Sequence, residues 1–176
     1  TSTNAIGSKT YNFARFDDSE NTNAKITYAS TTNSVSVGGG SDSAFSISFW
    51  YYRDSSTATA SKENFIFKGD SSNKEYSLTF NPNTGYRILE FVLYDGSNNS
   101  NQVIRQRTFS SATVFNDAWN HIVVTYDGSG SHTGMELYIN GVADSWTGGS
   151  ASASYSSMGN LTSTLYIGAD QNGSVE

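Results

Sequence analysis

Cysteine is absent from the 176-residue sequence. That excludes disulfides, thiolate metal sites and cysteine nucleophiles, so packing alone must hold the fold. Proline is nearly absent as well. The one that occurs, Pro82, sits in Asn81-Pro82-Asn83-Thr84-Gly85, which has the composition of a turn. Basic residues are few, 10 against 16 acidic ones for a net charge of −6. They are scattered and form no stripe, which argues against a nucleic-acid backbone as partner. No stretch approaches the roughly 20 consecutive apolar residues of a membrane-spanning helix, and no signal-peptide pattern appears. Membrane insertion is therefore not expected. Runs of strong helix formers are missing too.

What the sequence has instead is β-forming material, with 11 Tyr and 10 Phe alongside many Val, Ile and Thr. Its 16 Gly cluster between the apolar runs, so many short strands joined by tight turns are expected. The length suits one domain spanning residues 1–176, large enough to bury a single core. The first residue is Thr1 and not Met, so the chain is expected to be either processed or, as a domain, part of a longer chain.

Alternation of apolar and polar residues recurs along the chain. Tyr11 and Phe13 share a face, as do Ala24, Ile26 and Tyr28. Phe45, Ile47, Phe49 and Tyr51 alternate with Ser46, Ser48 and Trp50, the period of a strand with one buried face. Further strands are predicted at 65–68, 76–80, 88–94, 103–108, 120–126 and 135–139, with turn compositions between them. Asn140-Gly141, flanked by Ile139 and Val142, is a hairpin signal. The stretch from Ser145 to Ser163 has no period and reads as one long loop, and a short last strand follows at Leu165 to Gly168. About ten or eleven strands and no helix predict an all-β, two-sheet antiparallel sandwich.

Four segments then carry a resemblance. They are Phe45-Ser46-Ile47-Ser48-Phe49-Trp50, the run from Trp119 to Gly128, Leu137-Tyr138-Ile139-Asn140-Gly141, and Leu165-Tyr166-Ile167-Gly168. In this order and spacing the chain, from Thr10 onward, resembles a laminin-G-like domain of the concanavalin A-like lectin/glucanase superfamily. The resemblance implies a jelly-roll sandwich. It also implies a closing strand after Leu-x-Ile-Gly that the sequence lacks, so the sheet is expected to be completed by further residues or by another chain. Trp119 is expected to open a buried strand and plug the end of the sandwich, its N–H meeting a loop carbonyl. The superfamily holds lectins, adhesion modules, glycosidases and virion proteins, so fold alone does not choose a ligand.

Catalysis is not expected. Hydrolases of this superfamily pair carboxylates in a Glu-x-Asp-x-x-Glu pattern, and no such pattern occurs. His121 sits in a Val-rich strand and His132 in a Gly/Ser loop, neither with the companions of a triad. The acidic run Asp17-Asp18-Ser19-Glu20 reads as a solvated turn. Calcium is the one cofactor the resemblance suggests, with Asp70 as a ligand, Asn160 from the loop before the last strand, and Asp170 with Asn172 just past it. Sugar binding needs an aromatic face for stacking and amides for hydroxyls. Trp146, Tyr155 and Asn160 in the long loop are the candidates. Trp50 and Tyr52 lie opposite Phe49 on their strand and suit either packing on a second sheet or an interface. Asn98, Asn160 and Asn172 begin Asn-x-Ser/Thr patterns that arise readily in so Asn/Ser/Thr-rich a sequence. The expectation is a non-catalytic recognition or adhesion module of a secreted, surface or virion protein, binding glycan or protein through its loop rim. The alternative is a structural virion component, a capsid decoration or tail protein acting through self-assembly. A degenerate glycoside hydrolase is a remote third.

Overall fold

The computed structural model describes residues 2–6, 9–13, 26–28, 35–56, 61–83, 85, 87–96, 100–111 and 113–170, the first three segments as backbone only. Two antiparallel sheets face each other. One runs, from edge to edge, β11 (Val142–Asp144), β10 (Met135–Ile139), β9 (Trp119–Tyr126) and β4 (Phe45–Tyr52). The other runs β12 (Gly148–Ala151), β8 (Gln102–Thr108), β7 (Ile88–Tyr94), β6 (Lys74–Asn81), β5 (Glu63–Gly69), β13 (Leu165–Ile167) and β3 (Ile26–Tyr28). β1 (Ser2–Ile6) and β2 (Lys9–Phe13) form a hairpin of their own. The all-β sandwich expected from the alternation is what the chain forms, with no α-helix among the described residues.

The period-2 pattern decides which side chains meet between the sheets. On β9, Asn120, Ile122, Val124 and Tyr126 are buried while the residues between them are half-exposed. Across the gap Leu78 and Phe80 of β6 and Leu89, Phe91 and Leu93 of β7 have no exposure. Each such side chain contributes on the order of 2 kcal/mol through the area it removes from water. Phe45 sits edge-on to Phe91 at 6.0 Å, and Tyr51 lies 4.7 Å from Phe65, so β4 rides over β5 to β7. At the opposite side Arg107 of β8 ties to Asp144 of β11 at 3.0 Å, joining the two sheets.

Asn140 and Gly141 adopt φ of 55° and 79°, the left-handed pair of a type I′ turn, and Ile139 pairs with Val142 as the hairpin signal predicted. Two expectations need correction. The long loop from Ser145 to Ser163 is interrupted by β12, which pairs with β8 from Gly148↔Gln106 to Ala151↔Val103. Gly and Ser have little strand preference, and the unpaired edge of β8 supplies the ladder that holds them. Trp119 does not plug the sandwich end. As the first residue of β9 it alternates with buried Asn120 and faces outward. The indole of Trp146 donates through Nε1 to the carbonyl of Met135, the first residue of β10, at 2.9 Å. The expectation about a closing strand concerns the chain beyond residue 170, and like the run Asp17 to Glu20, Asn98 and Asn172 it falls outside the described residues.

Candidate functional site

The outer face of the four-stranded sheet carries an aromatic cluster that strand geometry dictates. β4 reads Phe-Ser-Ile-Ser-Phe-Trp-Tyr-Tyr, so once Phe45, Ile47, Phe49 and Tyr51 turn to the core, Ser46, Ser48, Trp50 and Tyr52 must point outward. The register sets Trp50 opposite His121 and Tyr52 opposite Trp119. Trp50 stacks on the His121 ring at 5.0 Å and 26°, and Tyr52 lies 5.5 Å from Trp119 at 51°. Despite these contacts Trp50 remains 63% exposed and Tyr52 43%. Ser48 Oγ and His121 Nε2 share a hydrogen bond of 2.8 Å, which fixes the imidazole beneath the indole. The His121 amide donates to Asn140 Oδ1 at 2.9 Å, anchoring this end of β9 to the β10–β11 turn.

On β10 the outward residues are Glu136 and Tyr138, and the Tyr138 hydroxyl donates to Glu136 Oε2 at 2.5 Å. That bond to a carboxylate, together with its charge, pushes the Tyr138 hydroxyl above the usual tyrosine range. The result is a platform of flat rings edged by serine hydroxyls and one carboxylate.

The residues expected from sequence to bind ligand have other surroundings. Trp146 packs against the core, with its indole N–H held by Met135. Tyr155 also packs on the core, and its hydroxyl donates to Asp42 Oδ2 at 2.9 Å. The same Asp42 oxygen accepts from the Tyr126 hydroxyl, and Oδ1 accepts the Met158 amide at 2.5 Å. Burial first, and the Asp42 carboxylate second, push both tyrosine hydroxyls well above their ordinary range. Asn160 is exposed and lies against Gly39.

The three metal candidates lie in the turn after β5, in the loop before β13 and just past β13. Asp70 is exposed, and its Oδ1 accepts the Ser72 and Asn73 amides at 2.8 Å each, as an aspartate closing its own turn does. Asp170 is half-buried just past β13. Among the described residues no three His, Asp or Glu side chains converge on a point that could hold an ion.

A laminin-G family model, described as the concanavalin A-like lectin/glucanases superfamily, matches residues 12–176. The chain belongs to that superfamily. Laminin-G-like domains serve as carbohydrate- or protein-binding modules, are typically non-catalytic and are commonly extracellular. No curated protein matches the chain. No helix among the described residues of this laminin-G-like domain is long and apolar enough to cross a membrane.

What sequence reasoning missed was the weight of Trp50 and the involvement of His121 and Trp119. The signal was available in Phe-Trp-Tyr-Tyr, where aromatic residues fall on both faces of one strand. Only one of those faces can meet the core.

Proposed function

We propose that this laminin-G-like domain is a non-catalytic recognition module of a secreted, surface or virion protein that binds glycan on the outer aromatic face of its four-stranded sheet. The supporting observation is Trp50, 63% exposed yet held in place by the His121 ring at 5.0 Å. An indole so placed presents a flat apolar face to the C–H groups of a pyranose, while Ser46, Ser48 and Glu136 lie on the same sheet face for its hydroxyls. This moves the expected contact surface from the loop rim to the sheet.

The test is isothermal titration of neutral and acidic oligosaccharides with the wild type and with Trp50→Ala. Loss of about 1.4 kcal/mol of stacking corresponds to a roughly tenfold weaker Kd. Binding that Trp50→Ala leaves unchanged, or a blank across the whole panel, sinks the glycan reading. A second reading, assembly with protein in a virion, draws on a different observation. Among the described residues β4 forms an edge of its sheet, so Trp50 and Tyr52 stand where a neighbouring sheet could continue. Light scattering on a size-exclusion column separates the two, because assembly through this edge requires a multimer that Trp50→Ala weakens.

A further inference from the structure

Lys68 and Glu75, on adjacent strands β5 and β6, are both wholly buried, with Nζ 3.2 Å from Oε1. The ammonium also donates to the backbone carbonyls of Leu161 at 3.0 Å and Ser163 at 2.8 Å. Three acceptors match the three N–H bonds of an ammonium. Glu75 Oε1 accepts in addition from Ser36 Oγ at 3.0 Å and from the Leu161 amide at 2.6 Å. A carboxylate and two loop carbonyls from well-separated parts of the chain are thus gathered around one positive charge, with the Ser36 hydroxyl bonded to that carboxylate and to the Leu161 carbonyl. Oxygen donors of these kinds, a carboxylate and backbone carbonyls, are what a calcium ion takes. Two oxygens of the same residues, Glu75 Oε2 and Ser163 Oγ, are buried with no hydrogen-bond partner in the protein.

We infer that the Lys68 ammonium is the resident cation of this oxygen cradle, holding the loop before β13 in place of a metal ion, and that the cradle accepts a divalent cation only when the ammonium is removed. The calcium that the family resemblance suggests does not fit beside it. The loop carbonyls at 161 and 163 are bound to Lys68, Asp70 is engaged in its own turn, and a second cation beside a buried ammonium meets like-charge repulsion in a low-dielectric site. The charges also balance as they stand. One ammonium neutralises one carboxylate, whereas a divalent ion on Glu75 alone carries an excess charge and binds weakly, since calcium affinity follows the number of charged ligands. Removing either partner of a buried pair strands the other, so the arrangement is held from both sides.

Thermal unfolding of the wild type and of Lys68→Ala, each with chelator and with increasing calcium, tests the inference. The wild-type Tm is expected to be the same in both conditions. Lys68→Ala is expected to melt lower and to recover about 3–6 °C at a calcium concentration tenfold above its Kd. Lys68→Ala combined with Glu75→Gln is expected to recover nothing. A wild type whose Tm rises with calcium or falls with chelator overturns the inference, and so does a folded Lys68→Ala that ignores calcium. Should Lys68→Ala fail to fold, nitrogen-15 NMR of wild-type lysine ammonium groups decides. A Lys68 signal that survives at neutral pH, protected by its three bonds, supports the cradle, and a signal lost to solvent exchange like those of exposed lysines overturns it.

Discussion

Replacing Asp42 with alanine takes one acceptor group away from three donors at once. The Tyr126 and Tyr155 hydroxyls and the Met158 amide all donate to this carboxylate, which lies between the segment entering β4 and the segment leading to β13. A buried donor stripped of its acceptor costs about 1–3 kcal/mol. Tyr126 is 2% exposed and bears that cost nearly in full, although its oxygen still accepts the Gly130 amide. Tyr155 and Asp42 are half-buried, so water can take over part of the lost bonding there. The net expectation for Asp42→Ala is about 3 kcal/mol, which for a domain of this length lowers Tm by roughly 6–12 °C. Urea unfolding followed by tryptophan fluorescence measures it, and Tyr155→Phe in both backgrounds isolates one arm of the network. A coupling of about 1 kcal/mol or more between the two substitutions is expected. If Asp42→Ala melts within about 2 °C of the wild type, or the two substitutions simply add, the carboxylate does not join these segments and the reasoning fails.

Stability is expected to fall on the alkaline side, because Tyr51, Tyr76, Tyr126 and Tyr155 all have hydroxyls raised above 10.0, chiefly by burial. A folded-state pKa above the unfolded one contributes stability that is whole below about pH 10 and is lost as pH climbs beyond it, at about 1.4 kcal/mol per pH unit for each tyrosine that keeps its proton only when folded. Unfolding midpoints that stay level from pH 9 to pH 11 contradict this. Gly38→Ala sets a Cβ well inside van der Waals contact with the Met158 carbonyl oxygen, a backbone atom that cannot readily swing away. A loss of about 1–3 kcal/mol with an unchanged denaturant slope is expected, and an unaltered midpoint contradicts the close approach. Trp50→Ala, by contrast, should leave stability within about 0.5 kcal/mol in the same assay, since most of the ring is already in water. A large loss would make Trp50 a structural residue and undercut its role as a platform.

The strands of the sandwich were legible in the sequence wherever one face was apolar and the other polar. The runs at 120–126 and 135–139, and the Asn140-Gly141 turn between β10 and β11, rest on local rules of alternation and left-handed backbone that need no distant partner. The resemblance to a laminin-G-like domain rested on these runs together with 45–50 and 165–168, and the family match over residues 12–176 bears it out. Strand β12 could not be read this way, because Gly148-Gly149-Ser150-Ala151 becomes a strand only through the edge of β8. Nor could the roles of the aromatics. A tryptophan looks the same in sequence whether its N–H closes on a carbonyl, as Trp146 does, or its face stands in solvent, as that of Trp50 does. The buried Lys68 is the clearest case. Composition and hydropathy assign a lysine to the surface, and only the meeting of β5, β6 and the loop before β13 supplies the three oxygens that let an ammonium leave water. Periodicity determines which residues form strands and which way they alternate, whereas the work of a buried polar group depends on partners far off in the chain, and tertiary packing alone brings those together.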